Sequence, residues 1–131
     1  MNDFWSYRAP AIAWALVLFT LSSISDLPSP FHVSKWDDKL DHFVAYAILG
    51  ALVLRAVAMH RPLPNARDFK ITVVLGVLFG MADELHQYFV PGRFMDYKDF
   101  VADAVGVIAG AMFYAWLSER RALSRRGGIE M

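Results

Sequence analysis

The chain has 131 residues, of which 56% are hydrophobic, 15% aromatic and 20% charged, and its mean hydropathy is positive. This length gives a single domain, and the balance lies on the apolar side of soluble domains, which carry about 25% charged and about 45–50% apolar residues. The absence of cysteine excludes disulfide frameworks and thiolate metal sites; net charge is zero, nothing resembles a nucleic-acid patch, no nucleic-acid partner is expected, and the arginines of ERRALSRRGGIEM read as a flank.

Four apolar runs predict four spanning helices, over residues 10–25, 40–59, 71–90 and 100–117, with a basic tail over 118–131. A span takes about 20 residues, and the first run reaches that length by using Trp5 and Tyr7 as interfacial anchors. A soluble four-helix bundle would show polar outer stripes, and AWALVLFTL, AYAILGALVL, ITVVLGVLFGMA and AVGVIAGAMFYAWL show none. The first run has a competing reading as a cleavable signal peptide, with Arg8 as its charged region and Ser23 and Ser25 preceding a cleavage point at Asp26. The expected fold is all-α, a polytopic four-transmembrane-helix bundle in one membrane domain.

Orientation follows from the cations. One side of an alternating four-span chain holds Arg8, Arg55, Arg61, Arg67, Lys70, Arg120, Arg121, Arg125 and Arg126; the other holds Lys35, Lys39, Arg93 and Lys98. The positive-inside bias then puts both termini in the cytoplasm of a cytoplasmic (inner) membrane. In that arrangement DDKLDH at the start of the second run, DELHQ at the end of the third, and Asp99 with Asp103 at the start of the fourth all meet at the extracytoplasmic face.

Depth and spacing sharpen this. Residues 71–82 and 104–117 are uncharged, about 18 and about 21 Å of helix against a hydrocarbon core of about 30 Å, so Asp83 and Asp103 are expected below the outer headgroups. Ionised carboxylates there cost about 2.5–3.5 kcal/mol on insertion scales and must face protein, water or a ligand. Asp83, His86 and Gln87 fall at i, i+3 and i+4, and Lys39, His42 and Tyr46 at i, i+3 and i+7, each set on one helix face. Gly76, Gly80 and Asp83 are mirrored by Asp103, Gly106 and Gly110, which predicts glycine facing glycine across an antiparallel pair and Asp83 near Asp103. GxxxG spacing also arises in apolar segments by composition alone. Arg55, at the opposite end, reads as a snorkelling cation without a site role.

The chain resembles the VanZ-like membrane proteins. The resemblance rests on DKLDHFVAYAILGALV (38–53), GMADELHQYFVPGRFMDYKD (80–99) and DFVADAVGVIAG (99–110), about three-quarters of the chain. These fit the family's D-K-x-x-H-x-x-x-Y-x-x-L-G, D-E-x-H-Q-x-F-x-P-G-R and D-x-x-x-N-x-x-G-x-x-x-G, with Asp103 standing where many members carry asparagine. The resemblance implies a cell-envelope role, and the family's name is tied to teicoplanin (glycopeptide) resistance; it implies no reaction.

Three functions fit these residues. In the first, a recessed pocket of Lys39, His42, Tyr46, Asp83, Glu84, His86, Gln87, Arg93, Asp96, Asp99 and Asp103 binds, or helps transport, a lipid or lipid-linked envelope-precursor headgroup, with Arg93 gripping a phosphate or carboxylate. In the second, Asp83, Glu84, His86 and Asp103, joined by Asp99 and His42, hold a divalent cation for hydrolysis or group transfer, although no H-E-x-x-H motif is present and Glu84 is turned about 100° from Asp83. No strong nucleophile stands out, Ser6 and Ser34 lying in loops. In the third, the polar groups pair with one another as structural glue, Arg93 with Asp96 or Asp99 and Lys39 with Asp83, or serve a membrane partner or a second copy.

Overall fold

The computed structural model describes residues 2–25 and 37–127, so Asp26, Ser34, Lys35 and the end of the basic tail lie outside it. Among the described residues there are four α-helices and no strand: a π-helical turn Phe4–Arg8 leads into α1 (Ala9–Ser22), followed by α2 (Asp37–Ala58), α3 (Ala66–Tyr88) and α4 (Tyr97–Gly127).

The ends of the helices follow local chemistry. Pro10 sits in the first turn of α1, where its missing N–H costs nothing. α2 stops at Met59, which takes the left-handed conformation (φ 44°) that usually falls to glycine. α3 opens with a capping box: Asn65 accepts from the Asp68 N–H at 2.9 Å, and Asp68 accepts from the Asn65 N–H at 3.0 Å while also pairing with Arg61. Between α3 and α4, Arg93 N–H closes a turn on the Val90 carbonyl at 3.1 Å, with Gly92 at φ 82°, the type II geometry that Pro-Gly favours. Asp96 then caps α4 by accepting from the Lys98 N–H at 2.8 Å.

α2, α3 and α4 therefore begin three to five residues before their apolar runs, because capping and acidic residues are helical too. α4 continues through most of the basic tail, where SERRALSRR is made largely of good helix formers.

The tightest packing joins α2 to α4. A side chain at Gly106 would strike the Phe43 carbonyl at 2.5 Å, one at Gly110 would overlap the Ala47 carbonyl, and one at Gly50 the Val107 carbonyl. α3 receives side chains instead: Val107 methyls reach within 2.6 Å of a Cβ placed on Gly76, and Asp103 and the Tyr46 ring lie 3.3 Å from one placed on Gly80. The two glycine stripes thus do not face each other. Gly106 and Gly110 serve α2, because α4 is rotated to lay its backbone on that helix, and the glycines of α3 make room for what α4 projects past it.

Leu18, Tyr46, Leu49 and Val107 form the apolar centre, and Trp14 ties α1 to α2 through a 2.9 Å hydrogen bond to the Ala45 carbonyl. The outward surface is apolar, with Leu16, Val74, Leu78, Met112 and Phe113 all exposed, the surface expected against hydrocarbon rather than water. Three stretches, Phe4–Ser22, Asp37–Ala58 and Tyr97–Gly127, are long and apolar enough to cross a membrane. α3 is not among them, because its apolar stretch is closed in by Arg67, Asp68 and Lys70 at one end and by Asp83, Glu84, His86 and Gln87 at the other.

Candidate functional site

Ionisable side chains from α2, α3 and α4 converge at one end of the helices. Their burial is graded. The Asp38 side chain is 60% exposed, Asp96 36%, Lys39 20%, His42 12%, Asp99 7% and Asp103 1%. Asp83, Glu84 and Gln87 of α3 are buried beside them.

Each buried acid of α3 and α4 in this cluster is met by a donor from another element. The Tyr46 hydroxyl donates to Asp83 at 3.0 Å, His42 Nδ1 lies 2.8 Å from Asp103, and the Asp96 backbone N–H donates to Glu84 at 3.2 Å. Lys39 is shared, pairing with Asp99, with Asp96 at 2.9 Å and with Asp38 at 3.2 Å, while His42 Nε2 stands 3.9 Å from Asp99. At the rim, this ammonium holds the Asp96 carboxyl below the usual aspartate range, helped by the Lys98 N–H. The second oxygens of Asp83, Glu84 and Asp103 (Oδ1, Oε1 and Oδ2) are buried without a hydrogen-bond partner among the described residues.

Two residues of the expected pocket are used elsewhere. Arg93 turns to α1, its Nε and a terminal nitrogen donating to the carbonyls of Ile24 (2.9 Å) and Leu21 (3.1 Å), where a helix C-terminus leaves acceptors unfilled. It makes no ion pair with Asp96 or Asp99 among the described residues. His86 stacks on Phe19 with centroids 4.3 Å apart and meets the Ser23 hydroxyl at 2.9 Å, and Ser25 donates to the Pro91 carbonyl. The DELHQ…PGR block thus splits: Asp83, Glu84 and Gln87 point inward, and His86 and Arg93 clamp α1 to the α3–α4 turn. Lys39, for its part, pairs with Asp99 and Asp96 and not with Asp83.

The cation-ligand set changes accordingly. Oxygen and nitrogen atoms of His42, Glu84 and Asp103 lie within 4.8 Å of one another, as do those of Asp38, His42 and Asp99; His86 and Asp83 belong to neither group. Glu84 was legible as a candidate, but its central position was not.

Lipid-type outer surfaces on helices of membrane-crossing length, around an interior acid–imidazole cluster, define an α-helical membrane protein. The chain belongs to the VanZ/LLP1 family, whose family model matches residues 4–118. Neither a curated protein nor a solved structure matched it.

Proposed function

We propose that this chain is a four-span protein of the cytoplasmic membrane, with both termini cytoplasmic, whose extracytoplasmic end binds the polar headgroup of a membrane lipid or lipid-linked envelope precursor. One observation carries the reading: a polar cluster graded from exposed Asp38 to buried Asp103 lies on helices whose neighbouring positions Leu40, Leu85 and Val101 are exposed and apolar. An amphiphile fits such a surface, with its head among the acids and its tail along the helices. The two cations nearest the cluster are already engaged, Arg93 by α1 and Lys39 by three aspartates. The cluster therefore offers chiefly acceptors, suited to amine, amide or sugar-hydroxyl donors. Changed teicoplanin susceptibility on deletion is the cellular phenotype this role predicts.

The test is lipid retention by the purified protein in nanodiscs, read by native mass spectrometry. Wild type and Arg93→Ala are expected to hold a headgroup-bearing lipid that Glu84→Ala loses. Equal retention by Glu84→Ala, with only its melting changed, would leave a structural role for the cluster. Release of a cleaved headgroup would point to the hydrolase or transferase reading, which the convergence of His42, Glu84 and Asp103 favours.

A further inference from the structure

Four carboxylates, those of Asp83, Glu84, Asp99 and Asp103, are buried together, and the cations facing them among the described residues are Lys39 and, when protonated, His42. Negative charge exceeds positive, and a medium of low dielectric does not hold uncompensated carboxylates. Lys39 balances the shallow part, where Asp38, Asp96 and Asp99 surround it. The deep part is different. Glu84 and Asp103 are each 1% exposed, and each has a buried oxygen with no donor among the described residues.

We propose that His42, Glu84 and Asp103 form a binding site for one divalent cation of the Mn2+ or Zn2+ kind. The donors are two carboxylates and an imidazole, an oxygen–nitrogen set for hard to borderline ions, and the chain has no cysteine to draw softer ones. Their ligand atoms lie within 4.8 Å of one another. His42 Nδ1 and Asp103 Oδ1 share a direct 2.8 Å hydrogen bond, which an ion would replace by opening the pair to about 3.3 Å, the edge of a tetrahedron with bonds of about 2.0–2.1 Å. The alternative trio of Asp38, His42 and Asp99 is the poorer site, because Asp99 is held by Lys39 and Asp38 is exposed.

Three protein ligands leave coordination positions open, and an ion there would allow an acid-rich pocket to accept a phosphate oxygen. In that role the inference rests on the headgroup reading above, whereas binding of the ion rests only on the convergence of these donors and their orphaned oxygens. The experiment is metal analysis of the full chain purified in detergent, stripped with chelator and titrated with Mn2+ or Zn2+, with lipid retention measured on the same samples. Wild type and Arg93→Ala are expected to take up one equivalent. Glu84→Gln and Asp103→Asn, which keep side-chain shape but remove a charged ligand, are expected to bind at least about 10- to 100-fold more weakly, the range for changes one shell further out. In the Mn2+-loaded protein, nitrogen hyperfine coupling is expected and should vanish in His42→Ala. No uptake by wild type, or equal uptake by the two amide variants, overturns the cation site even if lipid is retained. Uptake of the ion without lipid leaves the site standing and removes the headgroup reading.

Discussion

The hydroxyl of Tyr46 crosses from α2 to α3 and donates to Asp83 at 3.0 Å, both groups being buried. Tyr46→Phe keeps the ring and removes the donor, leaving Asp83 with two unfilled oxygens. A loss of about 1–3 kcal/mol is expected, the usual cost of orphaning a buried acceptor, measured by denaturant unfolding in detergent.

Asp103 and His42 differ in what each kind of change removes. Asp103→Asn keeps an oxygen near the imidazole and relieves crowding among four acids, so its stability is expected within about 1 kcal/mol of wild type. Asp103→Ala leaves the ring without its partner and is expected to cost about 3–5 kcal/mol. Parallel unfolding curves decide this, and equal costs for the two variants would refute it.

The α2–α4 contact predicts that Gly110→Ala drives a methyl into the Ala47 carbonyl and separates the helices, at about 1–3 kcal/mol. Gly127→Ala, with nothing within 4 Å, is expected to be neutral or slightly stabilising. Thermal unfolding of the two variants side by side checks the pair.

A pH dependence follows from Asp96, whose carboxyl lies below the usual aspartate value chiefly because of Lys39. A depressed folded-state pKa means that the pairing supports the fold above the ordinary value of about 3.9 and is lost as pH falls through the lowered one. Melting temperature is expected to fall on acidification below about pH 4, and to fall less steeply in Asp96→Asn.

Since the chain contains no cysteine, single-cysteine labelling can test orientation directly. Phe94→Cys, in the exposed α3–α4 turn, is expected to react with a membrane-impermeant maleimide on intact cells, and Arg125→Cys only after permeabilisation. The reverse pattern would invert the proposed topology.

Much of this architecture can be read from the chain. Uninterrupted apolar runs announce the helices, and charge confined to their ends announces the cluster. Rotation of each helix is harder to read. At about 100° per residue, Gly76, Gly80, Asp83, Glu84 and Gln87 lie within an arc of about 100°, and His86 falls outside it. Spacing of i, i+3 from Asp83 thus grouped His86 with the interior, whereas the arc runs from Asp83 to Glu84 and is centred between them, near Gly80 and Gln87, as their burial shows. Spacing also cannot name a partner: Gly106 and Gly110 share a stripe whether they meet α2 or α3, and only the packing of the third helix decides. Arg93 was ambiguous for a chemical reason, since a guanidinium fork suits carbonyls at a helix end as well as a phosphate.

α4 has a mechanical consequence. Its 31 residues make a rod of about 46 Å, longer than the hydrocarbon thickness of about 30 Å, with Asp99 and Asp103 near one tip and Arg120, Arg121, Arg125 and Arg126 near the other. Val107 lies clasped between Gly50 of α2 and Gly76 of α3, which pins α4 to both neighbours at one height. The acid tip and the arginine tip of α4 therefore lie on opposite sides of that clasp.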